Sequence, residues 1–243
     1  MVRILFSLLL AAVLIYMAAE AFMFFRHYRA GRALVAQSKV YERDIPEGHP
    51  QILIVGDSTA VGTGVTDPAL SVAGRFGNDF PNASITNLAK NGAKIHDVVM
   101  TLRSLPQGRV YDLVVIQVGA NDVIFFSKLK EQPIEQMLEL AKKVSSHVVW
   151  LTAGNIGLAP IFPWPISLIM TDRTRDLREL ALSRTRLQKV IYVDLFEEKG
   201  EDPFVKDVER YYAPDREHLS ADGYGYWYDR IRDELVKERV VIQ

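Results

Sequence analysis

The chain has no cysteine among its 243 residues, which excludes disulfides, zinc–thiolate sites and thiol nucleophiles. It also has almost no net charge. Twenty-nine lysines and arginines stand against 30 aspartates and glutamates, so no strong field recruits nucleic acid and none is expected as a partner. His27, His49, His96 and His147 lie far apart with no helical pairing, and no metal site is indicated. Gly62-x-Gly64 lacks the remaining glycine and the lysine of a phosphate loop, so nucleotide binding has no support. No repeat or low-complexity tract is present. Nothing in the chain calls for a cofactor.

What the chain has is apolar material. Hydrophobic residues make up 49% of it against 24% charged, enough to bury a full core. The densest run lies at the start: from Ile4 to Phe25 the only charge is Glu20. At about 1.5 Å per residue that helix would reach about 33 Å, enough for the hydrocarbon core of a bilayer. Residues 1–25 therefore read as a single-pass anchor with the lipid bilayer as partner, and Phe22-Met23-Phe24-Phe25 supplies interfacial aromatics. The competing reading is a signal peptide with Arg3 ahead of the apolar stretch and Ala19-Glu20-Ala21 as a small-x-small cleavage site. Arg26, Arg29 and Arg32 follow the run and only Arg3 and the terminal amine precede it. The positive-inside count then places the body in the cytoplasm, whereas a cleaved signal would place it outside. Residues 26–50, ending in Pro46-Glu47-Gly48-His49-Pro50, read as a linker that keeps the apolar run away from any site in the body, residues 51–243.

The body alternates short apolar runs with longer amphipathic stretches. Strands are predicted at 51–55, 83–87, 112–118, 147–152 and 189–194, and helices at about 68–80, 95–105, 131–145, 166–186 and 221–237. Continuous Val/Ile/Leu runs suit strands buried on both faces. The alternation predicts one α/β domain of three layers around a five-stranded parallel sheet. Ligands of such sheets sit at the carboxyl ends of the strands. There the sequence places Gly56-Asp57-Ser58, Asn87-Leu88-Ala89-Lys90-Asn91-Gly92 and Gly119-Ala120-Asn121-Asp122, and the loop before the last helix adds Asp215-Arg216-Glu217-His218 to the same rim.

Acyl transfer needs a nucleophile, a base, a group that orients the base, and donors for the developing oxyanion. Ser58, His218 and Asp215 fit the first three roles, and the N–H groups of Ser58 and Gly92 with the side-chain amide of Asn121 fit the last. Taken singly, each cluster has a plain structural reading as a turn, a cap or a local ion pair. Those readings do not explain why all four fall in order at the strand ends of one sheet.

These blocks resemble the SGNH hydrolases, also called the GDSL esterase/lipase family. The resemblance spans residues 51–225 and is carried by Gly56-Asp57-Ser58, Asn87-x-Ala89-x-x-Gly92, Gly119-x-Asn121-Asp122 and Asp215-x-x-His218. It implies a flavodoxin-like α/β/α sandwich that hydrolyses acyl esters without metal. The implied roles are Ser58 nucleophile, Gly92 and Asn121 oxyanion donors, His218 base and Asp215 its partner. Leu219 departs from the proline often found after that histidine, a change expected to affect loop stiffness and not chemistry.

Two further segments have two readings each. Gly154–Met170 combines three prolines with Phe162, Trp164 and aliphatics. It reads as a wall for an acyl chain or a patch dipping into the bilayer, or else as a connection packed on the core. Arg173, Arg175, Arg178, Arg184 and Arg186 stud one helix, as a solvated face or a contact for anionic lipid. The expected function is a membrane-anchored serine esterase acting on acyl esters, lipid or envelope-glycan esters among them. An O-acyltransferase using the same residues and a catalytically silent binding protein are the alternatives.

Overall fold

The computed structural model describes residues 2–242. Among them five runs of aliphatic and β-branched residues form one parallel sheet: β1 (Gln51–Gly56), β2 (Ser84–Asn87), β3 (Leu113–Gln117), β4 (Val148–Leu151) and β5 (Ile191–Val193), in the order β2-β1-β3-β4-β5. Four lie inside the predicted strands, and β1 runs one residue past its predicted end, to Gly56.

The absence of polar alternation in β1 and β3 has a direct cause, since both faces of the sheet are covered. Ile52 and Ile54 pack with Leu113 and Val115 against α3 (Val72–Asp79) and α10 (Ala221–Lys237), chiefly through Phe76, Tyr224, Trp227 and Ile231. Leu53 and Val55 point the other way. They join Val114 and Ile116 beneath α4 (Ile95–Arg103), α6 (Glu131–Val144) and α7 (Ile166–Gln188), where Leu102, Met137, Leu138 and Leu177 close the second core. Each such fully buried side chain contributes about 1.5–3 kcal/mol of transfer free energy. The three-layer sandwich is therefore the predicted one.

Four short helices complete the body: α2 (Ser58–Val61), α5 (Ala120–Ile124), α8 (Pro203–Lys206) and α9 (Val208–Tyr211). The first two begin at the carboxyl ends of β1 and β3, the adjacent strands between which the order reverses. That is the place where open α/β sheets form their crevice.

The N-terminal helix differs from expectation in one respect. α1 runs from Val2 to Gln37, well beyond residue 25. Its apolar part is long enough to cross a membrane, with none of that stretch buried in the protein. Past residue 25 the helix continues through the segment expected as linker, and His27 and Gly31 are buried against the body. Nor are residues 38–50 loose. Arg43 pairs with Ile85 through both backbone groups, and its guanidinium donates to the carbonyls of Gly77, Phe80 and Ala83.

Candidate active site

Gly56 ends β1 at φ 152°, and a Cβ there would stand 1.9 Å from the carbonyl oxygen of Gln117 on β3. Glycine alone lets the chain turn this tightly against its neighbouring strand. Asp57 then donates its N–H to the same Gln117 oxygen at 2.9 Å and caps α2, its Oδ1 accepting from Thr59 N (2.9 Å) and Thr59 Oγ1 (2.7 Å). Ser58 thus becomes the first residue of a helix. Its N–H has no protein acceptor among the described residues, as expected of a first-turn amide.

The loop between α9 and α10 is folded back on itself by an isolated bridge between Tyr212 and Leu219 and by Ala213 N–H donating to His218 O at 2.8 Å. Arg216 turns the corner with φ 63°. Asp215 lies inside this turn with no exposed surface. Its Oδ1 accepts from the N–H groups of Glu217 (3.2 Å) and His218 (3.0 Å), and its Oδ2 lies 2.5 Å from His218 Nδ1. On the far side of the ring, His218 Nε2 is 3.0 Å from Ser58 Oγ. A carboxylate on Nδ1 selects the tautomer that carries its proton there, leaving Nε2 to accept from the serine hydroxyl.

The electrostatics favour charge separation within the pair. Burial would raise the Asp215 carboxyl, yet the hydrogen bond and charge of His218, with the two backbone N–H groups, hold it below its ordinary value. Burial would likewise depress His218, and the hydrogen bond and charge of Asp215, reinforced by Glu217 and Asp57, raise it instead. Asp57 behaves in the opposite way. Burial pushes it up to about 6 despite the Thr59 bonds and the nearby imidazole. Glu217 is also raised by burial.

Asn121 lies just past the end of β3 beside this centre, and Gly92 lies in the turn that follows β2. Asn87 at the end of β2 donates through Nδ2 to Ala60 O (3.1 Å) and accepts from Ala89 N (3.1 Å), tying α2 to the turn that follows. That turn is closed by Lys90 N–H on Gly56 O (3.0 Å) and Ala93 N–H on Lys90 O (3.1 Å). Gly92 sits at φ 79° and its N–H has no protein acceptor among the described residues. Asn121 Nδ2 donates to Ala93 O at 3.0 Å, which fixes one N–H of the amide and leaves the other free. Beneath it, Asp122 Oδ2 accepts from Ile95 N (3.0 Å). Arg173 donates to the carbonyls of Asp122, Val123 and Ser127. Read from the sequence as a solvated or lipid-facing charge, Arg173 is instead a strut under the Asn121 segment. Arg178 pairs with Asp194, and Arg184 with Glu131 and Glu135.

Ser58, Asn121 and His218 open into one cavity, whose apolar wall includes Ile124, Ile156, Phe162, Leu195, Phe204 and Trp227. Phe162 is part of this wall. Trp164 is not. It is 67% exposed and does not line the cavity, because the chain turns outward at Pro163 before α7 begins. Gly92 also lies outside this cavity, lining a separate surface recess beside it. Sequence reasoning missed Glu217, Glu197 and Asp202, three carboxylates that also border the cavity. The first adjoins His218 in sequence, which is the one signal that would have found it. Asp215, Glu217 and His218 carry ligand-type atoms within 4.8 Å of one another, but Asp215 and His218 already spend theirs on each other and on Ser58.

Fold and geometry together define an α/β protein with a serine–histidine–aspartate line at the carboxyl edge of a parallel sheet. The chain belongs to the GDSL-like Lipase/Acylhydrolase family, whose pattern matches residues 54–226, a family of hydrolases that act on esters. In fold it is similar to a member of the lipolytic protein G-D-S-L family from Veillonella parvula, with a TM-score of 0.59, 14% identity and coverage of 75% of this chain and 96% of that one. It is similar as well to a lipase/acylhydrolase from Enterococcus faecalis (0.58, 20%, 79% and 98%). An acetylxylan esterase from Geobacillus stearothermophilus also matches (0.53, 18%, 82% and 96%). No curated protein sequence matches the chain.

Proposed function

We propose that the chain is a serine esterase, held at a membrane by α1, in which Ser58 is the nucleophile, His218 the general base and Asp215 its orienter. The observation that carries this reading is the unbroken line Asp215 Oδ2, His218 Nδ1, His218 Nε2, Ser58 Oγ, at 2.5 and 3.0 Å, opening into an apolar cavity. Ser58 Oγ attacks the ester carbonyl as its proton passes to Nε2, and the oxyanion that forms is met by the free N–H groups of Ser58 and Gly92 and by Asn121 Nδ2. The imidazolium, stabilised by the buried Asp215 carboxylate, gives that proton to the departing alkoxide. Water then enters and adds to the acyl carbon as it loses a proton to Nε2, and the Ser58 Oγ–acyl bond breaks as Nε2 returns that proton to Oγ, releasing the acid. No step in this cycle calls for a metal.

The apolar wall selects the acyl side. Each methylene buried against it is worth up to about 0.8 kcal/mol, or roughly fourfold, so esters with several carbons in the acyl chain are the expected substrates. Turnover of p-nitrophenyl esters from acetate to palmitate by the purified full-length protein tests this. Hydrolysis that rises from acetate to medium chains supports it, and no turnover of any ester by folded protein contradicts it. The same acyl-enzyme would serve an O-acyltransferase if an alcohol replaced water. Acylated sugar formed in place of free acid, on adding a sugar acceptor, would move the assignment there. A silent binding protein on this fold would turn over none of them.

A further inference from the structure

We infer that residues 27–38, the stretch of α1 beyond its apolar part together with the serine that follows it, belong to the catalytic apparatus, walling in Asp215 on one side of Ser58 and bracing the Gly92 turn on the other. The inference rests on the serine esterase reading above and adds to it a positioning element that lies outside the family's matched region, residues 54–226.

The covered residues on this part of the helix are His27, Ala30, Gly31, Leu34 and, just past its end, Ser38, while Tyr28, Arg29, Arg32, Ala33, Val35, Ala36 and Gln37 are exposed. Spacings of three and four define a single helical face, so the helix lies along the body instead of leaving it at residue 26. That face meets the active-site loops at three points. His27 Nδ1 is 3.3 Å from Pro214 O, the residue before the triad aspartate. At Gly31 a Cβ would stand 3.0 Å from Asp215 Oδ2, the same oxygen that holds His218 Nδ1. Ser38 Oγ accepts from Asn91 Nδ2 at 2.9 Å, and Asn91 Oδ1 accepts from Thr63 Oγ1 at 2.6 Å, so the residue before Gly92 is strung between α1 and the segment after α2.

The chemical consequence lies in the carboxylate. Asp215 can orient and polarise His218 only while Oδ2 faces Nδ1 in a site closed to water, and the helix backbone at Gly31 forms part of that closure. Glycine is the residue that permits it, because any side chain would push on Oδ2. The titratable groups facing the His218–Asp215 pair are Glu217 in the same loop, Asp57 at the Ser58 turn, Tyr224 of α10 and His27 of α1. Displacing Asp215 removes the interaction that raises His218. All three contacts lie beyond Ala21, so removal of the chain ahead of residue 22 would leave the brace intact.

Gly31→Val in the full-length protein, reconstituted in lipid nanodiscs, is expected to lower kcat on p-nitrophenyl acetate by roughly 10–10²-fold, the scale of a misplaced catalytic group. It should leave KM close to wild type, since α1 does not line the cavity, and move the midpoint of the pH profile of kcat/KM downward. Ser38→Ala should lower kcat a few-fold with the midpoint unmoved, because it acts on the oxyanion side. Ala33→Val, on the exposed face of the same turn, should change neither. Should Gly31→Val fail to fold, Gly31→Ala must show the same directions at smaller size. Wild-type kcat and midpoint in the Gly31 variant, or equal losses in Ala33→Val, would overturn the inference while leaving the esterase reading intact. A wild-type protein that neither hydrolyses the ester nor takes up a fluorophosphonate would sink that reading and the brace's catalytic role with it.

Discussion

Ser58 and His218 are 160 positions apart in sequence and 3.0 Å apart in space, a distance that fixes what each should be worth. Replacing either by alanine is expected to lower kcat by about 10⁴–10⁶-fold, as for loss of a nucleophile or base acting in one unit. Asn121→Ala should cost about 10²–10³-fold, the value of one oxyanion donor. Steady-state kinetics of the three variants check the ranking, and a folded Ser58→Ala protein with more than about a tenth of wild-type turnover would contradict it. The pH dependence follows from His218. Only the neutral ring accepts the serine proton, and its pKa is raised, so kcat/KM should rise with pH through a midpoint above the ordinary value of about 6.5. Stability runs the other way. The raised His218 contributes stability that is full below about 6.5 and is lost as pH rises through its folded value. The lowered Asp215 contributes above about 3.9 and is lost as pH falls through its own. The Tm gap between wild type and His218→Ala should therefore be wider near pH 5.5 than near pH 8.5, and a gap that widens with pH would contradict the coupling. At this scale the local geometry of the candidate site was largely legible, because Gly56, Asp57, Asn87 and Asp215 use their side chains, or the lack of one, in local turns that leave a mark in sequence. Gly31 was not legible. What it touches is 184 positions downstream, from Gly31 to Asp215, and a glycine in a helix gives no hint of which atom requires it.

Among the elements, the sheet and the five long body helices matched their sequence signals closely, since continuous aliphatic runs and amphipathic stretches report burial directly. The short helices α2, α5, α8 and α9 were missed because four or five residues cannot show a helical period. α1 was cut short for a different reason. Its apolar run ends at Phe25, and the arginines that follow resemble a linker, yet a helix with a single covered face can continue along a protein surface. In the connection from β4 to α7 composition pointed to two aromatic wall residues, and the backbone turns one of them outward. Phe162→Ala is accordingly expected to weaken the preference for medium acyl chains while leaving p-nitrophenyl acetate turnover within a few fold. Trp164→Ala should leave the chain-length profile of soluble esters unchanged. A profile across the p-nitrophenyl ester series decides this, and a flattened profile in the Trp164 variant would return that residue to the pocket.

Taken whole, the molecule places its candidate active site on the side of the body where α1 docks, since the Gly31 contact to Asp215 comes within two helical turns of the end of the apolar run. Exposed Trp164, Ile166, Leu168 and Ile169 belong to the segment that follows Ile161, whose N–H donates to Arg216 O at 3.3 Å. An exposed apolar segment and the docked end of α1 therefore meet the same loop. With the helix retained, the full-length protein should sediment with membranes and resist extraction by high salt. Recovery of a soluble species beginning at Phe22 would establish cleavage instead. The central claim concerns one atom, Ser58 Oγ. Incubating the full-length protein with an alkyl fluorophosphonate and mapping the adduct by peptide mass spectrometry tests it most directly. The expected result is a single adduct on Ser58 that forms in the wild-type protein, is absent from Ser58→Ala and is slowed at least about 10³-fold in His218→Ala. Stoichiometric labelling of another residue, or none in folded wild-type protein, would contradict it.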